Sequence, residues 1–191
     1  MNLLGLTFDS AVCGVAMSHS SVLVWLSFFI ATFASYCSLD MAERMRSTEG
    51  AARRYWLGFA GLALGAGIWS MHFVAMVAVE LPMDQGYEPV ATVLSGIVAV
   101  AAVIAGLACL GRNPTISRLI ASGVIVGTGV VVMHYLGMSA MRVAGEVYYR
   151  PGLFSLSVLI AMTAAVVALW RRGAYGASSG VKTAVLDLLF R

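Results

Sequence analysis

Apolar positions in this chain fall into long uninterrupted runs, not into the alternation of a half-buried strand or the three-and-four spacing of a surface helix. The first run, Val22 to about Leu39, is free of charge and long enough for the roughly 20 residues that cross a bilayer core. A polar segment from Asp40 to Arg54 follows, with Asp40 and Arg44 four apart and placed to pair on the last turn of the helix. Later runs predict spans over Tyr55 to about Val79, Val90 to Leu110, Leu119 to Met141 and Leu153 to Trp170, so five crossings are expected. Residues 173–180 read as a flexible linker. Beyond it Val181, Ala184, Val185, Leu188 and Leu189 share one helical face, the pattern of a short amphipathic helix lying in the interface. The N-terminal residues lack the basic n-region of a signal peptide and read as an apolar segment at the membrane surface or against the bundle. The expected fold is therefore all-α, a polytopic bundle of five transmembrane helices with a short amphipathic tail. It divides into 1–18, 19–172 and 173–191.

Composition points to lipid as the solvent. Hydrophobic residues make up 60% of the chain and charged residues 11%, against about 25% charged in soluble domains, and the mean hydropathy is +0.89. The net charge of +3 matters less than where it falls. Ten of the twelve Lys and Arg residues lie after spans one, three and five, and only Arg142 and Arg150 lie on the other side. The positive-inside rule then puts the N-terminus outside and the C-terminus in the cytoplasm. No basic stripe interleaved with aromatics marks a nucleic-acid surface. Cys13, Cys37 and Cys109 have neither paired nor metal-ligand spacing and read as small apolar fillers.

The chain repeats itself. A shift of 62 residues lays Met71-His72 on Met133-His134, Gly65 and Gly67 on Gly127 and Gly129, Ser95 and Ala99 on Ser157 and Ala161, and Tyr87-Glu88-Pro89 on Tyr149-Arg150-Pro151. A shift of 68 lays Ser27 and Ala31 on Ser95 and Ala99, and His19 on Tyr87. The unit is a two-helix hairpin of constant orientation, a parallel repeat present as one, two and then half. A third Met-His helix would place its histidine near position 196, so the bundle works with two such helices or borrows surface from a second copy or another protein. The glycine-rich faces suit self-association.

Each repeat carries one imidazole with a thioether four residues on, His72 with Met76 and His134 with Met138, and residues four apart share a helix face. Imidazole with thioether is a soft, mixed donor set that suits copper better than magnesium or calcium. Met71 and Met133 point about 100° from their histidines and rank lower as ligands. His19, at the outer start of the first span, puts all three histidines in the outer half of the bundle. The Tyr135 hydroxyl is within reach of a histidine or a bound ligand, and its ring also suits plain packing.

The runs GIWSMHF, MHYLGM and WLSFFIATFASYCSLD together resemble the MHYT domain family over about residues 17–172. Val74 and Leu136 stand where that signature has threonine, and Phe73 replaces one tyrosine. The resemblance implies a bacterial inner-membrane sensor module that binds copper, responds to oxygen, carbon monoxide or nitric oxide, and passes a signal to a cytoplasmic partner. The 19 residues after Arg172 are too few to fold as an enzyme. With no nucleophile–base pair, phosphate loop or paired-carboxylate centre, catalysis is not expected. Two other readings stay open: a haem-bearing redox subunit with His72 and His134 as axial ligands, and a small structural or transport protein whose histidines hydrogen-bond a carbonyl or a serine such as Ser70 or Ser139.

Overall fold

A computed structural model describes residues 2–3, 6–8, 18–80, 85–111, 115–143, 148–149 and 152–168. Among the described residues four helices are long and apolar enough to cross a membrane: α1 (Ser21–Ser47), α2 (Gly50–Val77), α3 (Pro89–Leu110) and α4 (Ile116–Ser139). A shorter apolar helix, α5 (Gly152–Ala168), occupies the place of the expected fifth span. Its continuation toward Trp170 and the expected tail helix lie outside the described residues.

The expected polar segment after the first span is largely helical. α1 runs on to Ser47 and α2 begins at Gly50, leaving only Thr48 and Glu49 between them. Asp40 accepts a hydrogen bond from Arg44 Nε at 2.9 Å, two turns before the helix ends. The Arg44 guanidinium also stands 5.3 Å from the centre of the Trp56 ring, within cation–π range. Long amphipathic side chains thus let the helix leave the apolar layer without unwinding.

Successive helices run antiparallel, and glycine sets how closely they approach. A Cβ added at Gly65 would stand 2.5 Å from the Val100 Cα, and one at Gly67 would collide with Ala34. In the second repeat the same steps recur, Gly127 against Met162 and Gly129 against Ala102. Gly61 meets Ile104 as Gly123 meets Val166. These pairs differ by the 62- and 68-residue shifts, so the repeat seen in the letters is a repeat of packing. Small residues let backbones approach where lipid provides no hydrophobic drive between helices. Buried Ser38 adds a hydrogen bond from its hydroxyl to the Ala60 carbonyl at 3.0 Å. Outward residues such as Trp25, Phe28, Phe29 and Phe33 stay exposed on α1, the surface a lipid would cover.

Short strands clip the helices together at the end opposite Arg44, Arg46, Arg53, Arg54 and Arg118. Among the described residues these are β1 (Asn2–Leu3), β2 (Leu6–Phe8), β3 (Ser18–His19), β4 (Val79–Glu80), β5 (Gln85–Tyr87), β6 (Met141–Val143) and β7 (Tyr148–Tyr149). The strand before α1 pairs with the strand after α2, Ser18 opposite Glu80. The strand before α3 pairs with the strand after α4, Gly86 opposite Arg142. Ser20 N–H to Ala78 carbonyl at 2.9 Å and Glu88 N–H to Ala140 carbonyl at 2.8 Å repeat the same closure. β7, at the corresponding position of the third unit, pairs in parallel with β2. The N-terminal residues expected at the membrane surface thus supply strands to this clipped end.

Glu88 also caps α3, its carboxylate accepting from Ala91 N–H at 2.6 Å and Val90 N–H at 3.0 Å. The Ala91 bond first and the Val90 bond second hold the carboxyl below its ordinary range; slight burial opposes them and Arg142 adds a smaller pull down. A depressed folded-state pKa stabilises above the unfolded carboxylate value of about 4.3 and that stabilisation is lost as pH falls through the folded value. Glu88→Gln is expected to melt lower than wild type near neutral pH, the gap closing in acid. Thermal unfolding midpoints across that pH range check it, and a gap independent of pH would contradict the role.

Candidate metal centre

α2 and α4 run in the same direction, each packed chiefly on its hairpin partner and α2 also on α3, and the repeat puts one histidine on each at equal depth. His72 and His134 each lie five residues before the last residue of their helix, about 8 Å along the axis. Their ring centroids are 4.7 Å apart with the planes inclined at 58°. The two imidazoles therefore touch, as the repeat requires if its units pack around a common point.

Gly137 permits this contact. A Cβ there would stand 2.8 Å from His72 Nε2 and 3.2 Å from its Cδ2, so the imidazole lies directly on the α4 backbone. His72 is 8% exposed, and its Nε2 is buried with no hydrogen-bond partner among the described residues. A buried polar nitrogen without a partner is costly. It is the kind of atom that a ligand completes.

The thioethers differ in environment. Met76 and Met133 are buried, Met133 at 1% exposure, while Met71 and Met138 are half-buried. The α4 face about 100° from His134 is thus interior as well. No third His, Cys, Asp or Glu joins the pair in a cluster among the described residues. Among the described residues, the further donors on the same two helices are softer groups, the methionines. His19 lies apart, exposed on β3 opposite Val79, seven residues beyond His72 or about 10 Å along α2. Cys37 and Cys109 are free, and Cys13 lies outside the described residues.

Aromatic rings surround the pair. Phe73 meets the His72 ring edge-on at 5.3 Å, and Tyr135 meets the His134 ring at 4.8 Å. The Tyr135 hydroxyl is 2.6 Å from Ser157 Oγ, which itself donates to the Phe154 carbonyl at 2.8 Å. A serine has one proton to give, so with that bond made the tyrosine is the donor. Tyr135 therefore ties α4 to α5 through its hydroxyl while its ring packs on His134. In the first repeat Trp69 does the equivalent work, its indole N–H reaching the Thr92 carbonyl at 3.0 Å and Ser95 Oγ at 3.1 Å. Above the site Tyr87 stacks edge-on to Phe73 at 5.7 Å, and its buried hydroxyl has its pKa raised by that burial. Gly137, Trp69 and Tyr87 were not singled out from the sequence as site residues. The glycine within MHYLGM and the tryptophan before the first Met-His pair were the available signals.

The family model MHYT, described as the bacterial signalling protein N-terminal repeat, matches residues 65–123 and 127–184, two copies set apart by the same 62-residue step. The chain belongs to the MHYT family. It is 41% identical over 155 residues to the bifunctional diguanylate cyclase/cyclic di-GMP phosphodiesterase MucR of Pseudomonas aeruginosa, covering 80% of this chain and 22% of that protein. It is 40% identical over 177 residues to the cyclic di-GMP phosphodiesterase NbdA of the same organism, covering 88% of this chain and 22% of that protein. The signalling protein YkoW of Bacillus subtilis is 36% identical over 159 residues, 81% of this chain and 19% of its own length. The chain thus spans about a fifth of the curated relatives it matches. No solved structure matches it. The MHYT repeats place it as a multi-pass membrane module of bacterial signalling proteins.

Proposed function

We propose that this MHYT module is a copper-binding sensor of the bacterial inner membrane, with His72 and His134 as nitrogen ligands and Met76 and Met138 as the first choice of sulfur ligands. The observation that carries the reading is the contact between the two repeat-related imidazoles, with the buried Nε2 of His72 left without a partner. Two nitrogens with thioether sulfur fit copper, the reduced ion above all. Copper there would supply a redox-active centre responsive to oxygen, carbon monoxide or nitric oxide. The chain's own residues fix the imidazoles, through Gly137 on one side and the Phe73 and Tyr135 rings on the other. A haem fits less well, because the His72 and His134 rings touch and leave no space between them for a macrocycle.

In this reading α5 is the fifth span, the N-terminus faces the periplasm and the arginine-rich end faces the cytoplasm. The signal passes to cytoplasmic signalling domains, in the same polypeptide or in a partner, or across a homo-oligomer. Catalysis belongs to those domains, since the matched region accounts for only 22% of the relatives that are named as enzymes. Metal analysis and an absorption spectrum of detergent-purified protein test the centre. Roughly one copper per chain is expected, lost in His72→Ala with His134→Ala, as for a site whose only imidazoles are these two. A Soret band would replace copper by haem, and absence of any metal would leave the histidines structural.

A further inference from the structure

We infer that the arginine-rich end of the bundle carries a binding site for a phosphate group, formed by Arg53 and Arg118. An open cleft of about 500 Å³ lies there, lined by Glu49, Gly50, Arg53, Gly111 and Arg118. It lies between the α1–α2 connection and the region where α3 gives way to α4, so residues distant in sequence converge on it. Two guanidinium groups and one carboxylate give the lining a net formal charge of +1, which the single charge of a phosphodiester would neutralise.

Arg53 Nε is buried and has no hydrogen-bond partner among the described residues. A buried cationic N–H without an acceptor is costly, so the described residues leave the Arg53 guanidinium incompletely matched. The Arg118 guanidinium rests over Gly111, its Nη1 3.1 Å from where a Cβ would stand, so glycine leaves it room there. Gly111 also has φ +67°, a conformation that disfavours any side chain. Arginine's planar fork matches phosphate oxygens in pairs, a geometry that lysine lacks. Gly50 adds the start of α2, where Glu49 makes no side-chain cap to the backbone N–H groups, an arrangement that favours an anion. The site is not duplicated by the repeat: a shift of 62 residues carries Trp56, not an arginine, onto Arg118.

Phosphate reaches such a place as the headgroup of an anionic phospholipid or as a soluble anion. Basic pockets between membrane helices commonly hold the former. The test uses the full chain in nanodiscs of phosphatidylcholine with or without phosphatidylglycerol, with bound lipid counted by native mass spectrometry, and separately a titration with inorganic phosphate. Arg53→Gln and Arg118→Gln are each expected to weaken binding about fivefold, the equivalent of about 1 kcal/mol per basic residue near a charged surface. Arg54→Gln, which removes an equal charge outside the cleft, is expected to leave it unchanged. Arginine-dependent binding of phosphatidylglycerol alone assigns the site to lipid, and the same dependence for inorganic phosphate assigns it to a soluble anion. Equal losses from Arg54→Gln and Arg53→Gln, or no loss from any, would overturn the site. Size-exclusion profiles verify folding, and exposed Arg118 carries the test should Arg53→Gln fail to fold.

Discussion

Gly65→Val is expected to lower the thermal midpoint of the protein in detergent by about 10 °C, the shift that about 3 kcal/mol produces in a chain of this size. The reason is that the obstacle is backbone. A Cβ at position 65 would stand 2.5 Å from the Val100 Cα and 2.8 Å from the Val100 nitrogen, so α2 and α3 must separate. Overpacking of this kind costs about 1–3 kcal/mol even where side chains can yield. Gly127→Val, at the equivalent place in the second repeat, should cost less. The closest atoms to its Cβ are the Met162 Cα at 3.0 Å and the flexible Met162 sulfur at 3.2 Å. Gly58→Val, with nothing within 4 Å, should leave the packing undisturbed. Equal midpoints for the Gly65 and Gly58 variants would contradict the packing described for α2 and α3.

Gly137→Ala is expected to weaken the proposed copper binding by about 10- to 100-fold, the range found when a group that orients a metal ligand is disturbed. The added methyl would stand 2.8 Å from His72 Nε2 and 3.3 Å from Phe73 Cζ, so the imidazole has to move off α4. No proposed donor is changed. A copper titration against Gly152→Ala, whose Cβ meets nothing within 4 Å, isolates the effect. Unaltered affinity in Gly137→Ala would remove His72 from the centre while leaving the fold untouched.

The membrane helices were legible in the sequence because lipid demands long apolar runs, and α3 starts within one residue of its expected boundary and ends on it. The end of α1 was less legible: the apolar run stops near Leu39 and the Asp40–Arg44 pair marks one further turn, whereas the helix runs on to Ser47. Two- and three-residue strands carry no alternation to detect, so the clips between Ser18 and Glu80 and between Gly86 and Arg142 emerged only in three dimensions. Their register follows the same repeat, since His19 and Tyr87, related by the 68-residue shift, occupy matching strand positions. The histidine pair was legible from the repeat. Which atoms hold it was not, because Gly137 acts through what it lacks, and no spacing rule reports an absent methyl group.

The clips give the bundle a mechanical polarity. Strand pairs bind the helices at one end, whereas α1 and α2 turn at the other through Thr48 and Glu49 alone. From His72 back to its start at Gly50, α2 is about 33 Å long. Over that length a tilt of about 5° at the clipped end would displace the arginine-bearing end by about 3 Å.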